Sequence, residues 1–327
     1  MTKTALITGI TGQDGSYLAE FLLKKKYKVH GIVRRVALED PTHRLWRIKH
    51  ILKKITLHNS SIESYSSLVR IIQKIKPDEL YHLGALSYVA YSFDDEFSTI
   101  NTNINGTHYA LSAIKDFSPK TKFYFAGSSE MFGKVKHSPQ HENTPFHPRS
   151  AYGISKVTGY DLTRNYREAY KLFCCTGILF NHESPRRGFE FVTRKISHAV
   201  ARIKLGLQSE LKLGNMDAYR DWGHAKDYVE AMWLMLQQKK PADFVIGTGQ
   251  KHSVRQFANT AFSIAGLNYK DYVKIDKKLF RPAEVTTLLA NPKKAKKILK
   301  WKQNIAFKNL VKEMVESDIK FVQKSGY

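Results

Sequence analysis

Apolar runs and helical patterns take turns along the first half of the chain. Thr4 to Thr8 reads as a strand and Asp14 to Lys26 as a helix. Lys28 to Val33 and Ile55 to Leu57 read as strands, Ser64 to Lys76 as a helix and Glu79 to Leu83 as a strand. The series goes on with a helix from Phe97 to Ile114, a strand from Lys122 to Phe125, a helix from Ala151 to Tyr170 and a strand from Phe173 to Leu179. Short apolar strands separated by amphipathic helices predict an α/β fold, a doubly wound parallel sheet covered on both faces.

Past Asn181 the rhythm breaks into shorter elements, with turn signals at Ser184-Pro185, Leu213-Gly214-Asn215 and Gly247-Thr248-Gly249. The expected division is therefore a sheet domain over 1–180 and a smaller domain over 181–327. Trp222 to Leu236 has a helical pattern and precedes the strand-like Asp243 to Ile246, which makes 219–248 a candidate return to the main sheet.

With 327 residues, 42% hydrophobic and 25% charged, the chain is long enough for two ordinary globular domains. Lys+Arg 53 against Asp+Glu 29 leaves +24, which favours anionic partners without choosing among phosphorylated small molecules, nucleic acid and acidic membranes. No apolar run approaches the roughly eighteen residues of a membrane span, and the chain enters its first strand without a signal-peptide pattern. A cytoplasmic location with no membrane partner is the expectation. Cys174 and Cys175 are adjacent, which excludes a disulfide scaffold and a zinc cluster; no metal is expected. Lys293, Lys294, Lys296, Lys297 and Lys300 surround Ala295, Ile298, Leu299 and Trp301 and predict an amphipathic surface helix. No stacking aromatics are interleaved there, so no nucleic-acid partner is expected.

Chemistry enters at Gly9-Ile10-Thr11-Gly12-Gln13-Asp14-Gly15, a GxxGxxG loop between the first strand and first helix. Glycines allow the tight turn, and the helix amino terminus offers N–H groups and positive dipole to a pyrophosphate, as in a Rossmann-type dinucleotide site. Gly9, Thr11, Gly12, Gln13, Asp14 and Gly15 are the candidate contacts. The second strand ends in Arg34-Arg35, where an NAD-preferring site would carry a carboxylate. Guanidinium pairs with a 2′-phosphate, so NADP is the expected cofactor, against the alternative of a plain surface pair.

Ser128-Ser129-Glu130 follows the Lys122 strand, and Tyr152 and Lys156 stand i, i+4 on one helical face. An ammonium so placed can hold a nicotinamide ribose and is expected to lower the phenol pKa from about 10, leaving a base. Ser128 can hydrogen-bond the same substrate hydroxyl. A stray Tyr-x-x-x-Lys pair would be a packing tyrosine and a solvated lysine; the glycine loop and serine pair upstream, in order, argue against that.

These residues resemble the extended short-chain dehydrogenase/reductases. Ala5 to Leu18, Asn181-His-Glu-Ser-Pro-Arg-Arg-Gly188, Phe191-Val-Thr-Arg-Lys195, Arg220-Asp-Trp-Gly-His224 and Arg281-Pro-Ala-Glu-Val285 narrow the likeness to the GDP-mannose 4,6-dehydratase family, from about Thr4 to the end. The resemblance implies a hydro-lyase that oxidises a GDP-hexose at C4, eliminates water across C5 and C6 and returns the hydride to C6 through bound NADP. It implies that Tyr152, Lys156 and Ser128 serve the C4 step and that Glu130 removes the C5 proton. A C4 ketone acidifies that proton, so a nearby carboxylate suffices as base. By the same likeness Ser61, Ile62, Leu83, Gly84, Ala85, Ser87, His182 and Arg187 would touch NADP. Ser87, Asn181, Val192, Lys195, Arg220, Arg281 and Glu284 would line the GDP-sugar pocket, with Lys195, Arg220 and Arg281 neutralising the diphosphate. A homodimer or homotetramer is implied as well.

The chain departs from the family's usual text in three places: Val36-Ala37 and the stretch Leu38 to Trp46 after the arginine pair, Leu86 in place of glutamine, and Ser61-Ile62 in place of Asp-Leu. Ser129 before Glu130 leaves that position without a second carboxylate, so Glu130 or a water must serve at C6. Other readings remain: a related GDP-sugar such as GDP-mannoheptose, a C4 epimerase or ketosugar reductase that leaves Glu130 idle, and a non-enzymatic NADP sensor or nucleic-acid binder.

Overall fold

The computed structural model describes residues 2–280, 283 and 285–325. Its strands, in chain order, are β1 (Thr4–Thr8), β2 (Lys28–Val33), β3 (Thr56–Asn59), β4 (Glu79–His82), β5 (Lys122–Ser128), β6 (Cys174–Leu179), β7 (Asn181–Glu183), β8 (Leu211–Leu213), β9 (Tyr219–Arg220), β10 (Trp222–His224), β11 (Phe244–Ile246), β12 (His252–Ser253) and β13 (Val273–Ile275). Seven of them form one sheet in the order β11-β6-β5-β4-β1-β2-β3, every neighbouring pair parallel. Chain progression reverses between β1 and β4, so the loops beyond their carboxyl ends part and leave a crevice.

The period-two alternation of the strands decides which helix covers which face. Ala5 and Ile7 join Tyr81, Tyr124 and Cys175 in a core beneath the helices Gln13–Lys24 and Ala225–Leu236. Leu6 joins Leu80, Phe123 and Cys174 on the other face, under Tyr65–Ile75, Glu96–Phe117 and Ala151–Ala169. The adjacent cysteines thus point to opposite faces of β6, both fully buried. A second core gathers Ile196, Leu213, Trp222, Phe257 and Met314 from the helices Val192–Lys204, Val254–Ile264 and Phe307–Ser325 and from the short strands beside them.

The stretch Trp222 to Leu236 is not a single helix. Trp222–His224 is β10, paired with β7, and the helix begins at Ala225, where the His224 Nδ1 accepts from the Lys226 N–H at 3.0 Å. Three residues are too few for alternation to declare itself. β11 lies at the edge of the main sheet, with Phe244 opposite Gly177. The lysine-rich run forms the expected amphipathic surface helix only over a short span, 293–299, whose last five residues, Ala295–Leu299, make a π-helical turn that buries Ala295 and Leu299 and exposes Lys296 and Lys297. Two tethers hold it: Lys294 Nζ donates to the Asp243 carbonyl and Trp301 Nε1 to the Asp227 carbonyl, each at 2.7 Å. Among the described residues no helix is long and apolar enough to cross a membrane.

Candidate active site

The nucleotide end of the crevice is built by the turn after β1. Thr8 Oγ1 accepts from the Leu83 and Gly84 N–H groups at 3.1 and 3.0 Å, lashing the end of β1 to the turn after β4. That closeness demands glycine. Gly9 has φ +73° and a Cβ there would lie 2.9 Å from the Gly84 nitrogen; a Cβ on Gly15 would lie 2.2 Å from the Gly9 carbonyl oxygen. Among the described residues no side chain caps the helix Gln13–Lys24 at Gly12, and its first turn lines the crevice, where open N–H groups suit an anion. Gly9, Thr11, Gly12, Gln13, Asp14, Gly15, Arg34, Ile62, Leu83, Gly84, Ala85, Ser87 and Arg187 all line this wall.

Arg35 and Ser61 do not. Arg35 pairs with Glu39 at 2.9 Å on the exposed side of a short helix, and Ser61 Oγ donates to Glu63 at 3.1 Å, while its neighbour Ser60 faces the nucleotide wall.

The reaction end lies where β5 and β6 stop. Ser87, Ser128, Glu130, Tyr152, Lys156, Asn181, His182, Arg187, Val192, Lys195 and Arg220 share one cleft. Ser128 is the last residue of β5, and its Oγ accepts from the Glu130 N–H at 3.2 Å, which orients the turn that carries the buried Glu130. Tyr152 and Lys156 come from the first turns of Ala151–Ala169, a helix capped by Ser150, whose Oγ accepts from the Gly153 N–H at 3.0 Å. Lys156 Nζ donates to the Ala126 carbonyl at 2.9 Å.

The electrostatics of the pair differ from the sequence expectation. Burial pushes the Tyr152 phenol up to about 12, against the pull of the Ser128 hydrogen bond and Arg187. Burial also pushes the Lys156 ammonium down to about 8. Lys156 therefore does not bring the phenol below its usual range here: desolvation disfavours the charged form of both groups. An ammonium near 8 exchanges its proton close to neutrality.

Asp14 and His182 join the two ends. His182 Nδ1 faces the Phe180 carbonyl and Nε2 faces Asp14 Oδ2, each at 2.7 Å, with the ring stacked 4.5 Å from Tyr228. A carbonyl only accepts, so Nδ1 carries a proton, and the Nε2 contact holds a second one between imidazole and carboxylate. Burial opposes charge on both, yet their pairing wins: His182 is raised and Asp14 lowered. Arg187 pairs with the buried Glu183 at 3.0 Å, and Thr193 Oγ1 donates to the same carboxylate at 2.6 Å. Among the described residues Asn181 Oδ1 is buried without a hydrogen-bond partner in the cleft wall, an acceptor suited to a ligand hydroxyl or amine. Burial lowers Lys195, partly offset by Asp276. Arg281 and Glu284 lie outside the described residues.

Several contributors escaped the sequence reading. Asn103 takes the Leu86 peptide in both directions, accepting from its N–H at 2.8 Å and donating to its carbonyl at 3.0 Å, and so shapes the loop from Leu83 to Ser87. The sequence shows only an asparagine within the helical pattern from Phe97 to Ile114; its burial is a property of the fold. His43, Arg44, Arg47 and Glu190 also line the nucleotide wall, and no local pattern announced them. Ser129 is no carboxylate, yet Asp14, Glu183 and Glu190 stand in the same cleft as Glu130.

Comparison with known proteins agrees with this arrangement. The family model described as GDP-mannose 4,6 dehydratase matches residues 6–314. GDP-mannose 4,6 dehydratase 2 of Arabidopsis thaliana is 52% identical over 98% of this chain and 88% of its own length. The Homo sapiens GDP-mannose 4,6 dehydratase is 49% identical over 98% and 92%. Among solved structures, the UDP-glucose 4-epimerase of Thermotoga maritima with UDP-glucose superposes with TM-score 0.86 at 24% identity, covering 98% of this chain and 99% of that one. RMD from Pseudomonas aeruginosa complexed with NADPH gives 0.83 at 23%, covering 98% and 100%. Those two likenesses speak for the fold, and the closer relatives for the family: the chain belongs to the GDP-mannose 4,6-dehydratase family.

Proposed function

We propose that the chain is a hydro-lyase that converts GDP-mannose to GDP-4-keto-6-deoxymannose and water in the cytoplasm, as a homodimer or homotetramer. In this reading 1–180 holds NADP and 181–327 holds the GDP-sugar, with 219–248 returning to the first domain. One observation carries the reading: a buried carboxylate, Glu130, shares a cleft wall with Ser128, Tyr152 and Lys156. A cleft that only oxidised and reduced C4 would have no work for it.

Bound NADP would supply the redox chemistry, a hydride acceptor for C4 and a donor for C6. The protein does the rest. Tyr152, hydrogen-bonded to Ser128, would take the C4 hydroxyl proton as a phenolate, its own proton leaving through Lys156, which exchanges near pH 8, with the positive charge of an oxidised nicotinamide offsetting the burial that holds the phenol up to about 12. Glu130 takes the C5 proton, made acidic by the C4 ketone, and passes it to the departing C6 hydroxyl, which leaves as water. As the hydride returns to C6, C5 takes up one proton through Glu130, matching the one that Tyr152 took from the C4 hydroxyl, so that the balance is the loss of one water. Asn181, Val192, Lys195 and Arg220, with Arg281 and Glu284, would seat the GDP-sugar. Arg34 on the nucleotide wall, with no carboxylate at that strand end, supports NADP over NAD. The uncapped helix start and the glycine cradle fit a dinucleotide on their own account.

Purified protein incubated with GDP-mannose and catalytic NADP should yield a product lighter by about 18 Da without accumulating NADPH, as an internal redox cycle requires. Unchanged GDP-mannose alongside a dehydrated GDP-mannoheptose would move the substrate. Epimerised sugar with no loss of water would sink the dehydratase reading.

A further inference from the structure

Four arginines crowd the seam between the nucleotide wall and the second domain, and three of them have a carboxylate. Arg186 pairs with Glu20 at 2.5 Å, Arg187 with Glu183 at 3.0 Å and Arg194 with Asp318 at 2.6 Å. Arg47 is the fourth. Among the described residues it has no ion pair. Its Nε donates to the Arg186 carbonyl at 2.7 Å and its Nη1 reaches the Thr11 carbonyl at 3.4 Å, while its guanidinium packs 4.4 Å from the Trp46 ring. It is half-buried, and it lines the nucleotide wall. Burial and the neighbouring Arg194, Arg186 and Arg187 push it down to about 10, with only the exposed Glu190 acting in the opposite sense. A partly desolvated cation among cations is unfavourable unless an anion joins it.

Its position selects the anion. Thr11 lies inside the glycine turn, between Gly9 and Gly12, next to the open N–H groups of the helix start. Arg34 stands apart, at the end of β2, where the adenosine ribose belongs. We infer that Arg47 is the charge partner of the dinucleotide's diphosphate, closing the glycine cradle from the β2–β3 connection, and that Arg34 alone answers to the 2′-phosphate. The inference rests on the crevice holding a dinucleotide and needs nothing of the sugar chemistry. The geometry also explains why Arg47 leans on backbone carbonyls: they hold the guanidinium in place without neutralising it, which leaves its charge for the ligand.

Two probes separate the phosphates. ADP carries a diphosphate without a 2′-phosphate, and 2′-AMP the reverse; each is measured as a competitor of NADPH fluorescence on the full chain. Arg47→Gln should weaken ADP by about tenfold to a hundredfold and leave 2′-AMP nearly unchanged, whereas Arg34→Gln should do the opposite. Retained 2′-AMP binding also certifies that the variant is folded. Should Arg47→Gln unfold, Arg47→Lys keeps the charge without the fork and should lie between the two for ADP. A residue that merely stapled the loop would not alter the salt dependence of ADP binding, while the loss of a diphosphate contact should flatten it. Unchanged ADP affinity, or a loss confined to 2′-AMP, overturns the inference. A chain that binds ADP as described yet makes no dehydrated sugar would leave it standing and sink only the dehydratase reading.

Discussion

The two sides of the cleft are held together by different means. In the main sheet the backbone satisfies itself: seven parallel strands share ladders of hydrogen bonds, and apolar helices close both faces. Beyond Asn181 the strands are two or three residues long and pair only two at a time, apart from β11. Their loose N–H groups are met by buried carboxylates. Asp221 accepts from the Thr248 N–H at 2.8 Å, the Thr248 hydroxyl at 2.7 Å, the Gly249 N–H at 2.8 Å and the Ala290 N–H at 3.2 Å. Asp227 gathers the N–H groups of Asn304 and Ile305 at 3.0 and 3.1 Å. Asp318 binds Arg194 and accepts from the Ser197 hydroxyl at 2.6 Å, pinning the helix Phe307–Ser325 to Val192–Lys204. Where the chain is too irregular for ladders, single acidic side chains supply the missing acceptors, because a buried unpaired N–H is costly. One half therefore offers a rigid platform for chemistry, and the other a shaped wall that depends on a few side chains.

That contrast can be broken experimentally, and the largest effect belongs to the platform. Tyr152→Phe should cut kcat by about two to four orders of magnitude while NADPH affinity and thermal stability hold, because the proposed mechanism gives the phenol proton work on a scaffold that does not need it. Steady-state kinetics beside a fluorescence titration decide this. A comparable loss of NADPH binding would count against the assignment.

On the other side, Asp318→Ala leaves Arg194 buried without its carboxylate and should cost about 3–5 kcal/mol in urea unfolding. Hydrogen exchange should rise first in the helix Phe307–Ser325; uniform acceleration over the main sheet would contradict the division. Asp221→Asn is expected to cost less, about 1–3 kcal/mol, since one carbonyl oxygen remains to accept. It should raise KM for the GDP-sugar more than it changes kcat, because Asp221 follows Arg220 on the cleft wall. Burial raises the Asp221 carboxyl above the ordinary range, so the native state holds that proton more tightly than the unfolded chain. Its contribution is complete at acid pH and declines as pH rises through the folded pKa, a trend that the asparagine variant should lack.

The smallest effect is at Glu313. The His224 hydrogen bond and Lys226 hold its carboxyl down at about 2, against 4.5 ordinarily, in spite of burial. The stability it adds is present above about 4.5 and is lost as pH falls through 2. As the side chain is 37% exposed, solvent screening limits Glu313→Gln to under about 1 kcal/mol at neutral pH. Acid titrations of unfolding should show the variant with a flatter slope in that window.

Much of the platform was legible from residues in a row. Thr4–Thr8, Lys28–Val33 and the helix around Tyr152 and Lys156 follow from periodicity, and the glycine loop from its spacing. Pattern is informative there because each element spans several repeats and buries one consistent face. The strand Trp222–His224 lies hidden within a helical pattern, because three residues hold too little periodicity to outvote their tertiary pairing with Asn181–Glu183.

By itself, then, the sequence determined the sheet, the glycine cradle, the order of Ser128, Glu130, Tyr152 and Lys156, and the family. Tertiary structure alone decided that Arg34 and not Arg35 faces the nucleotide wall, and that Asp14 meets a histidine 168 residues away. It also decided that, among the described residues, Arg47 stands without a carboxylate beside three arginines that have one. The reason is physical. Period and spacing are properties of neighbours along a chain, whereas the protonation and pairing of a charged group depend on what folding packs around it, and no local run of residues carries that information.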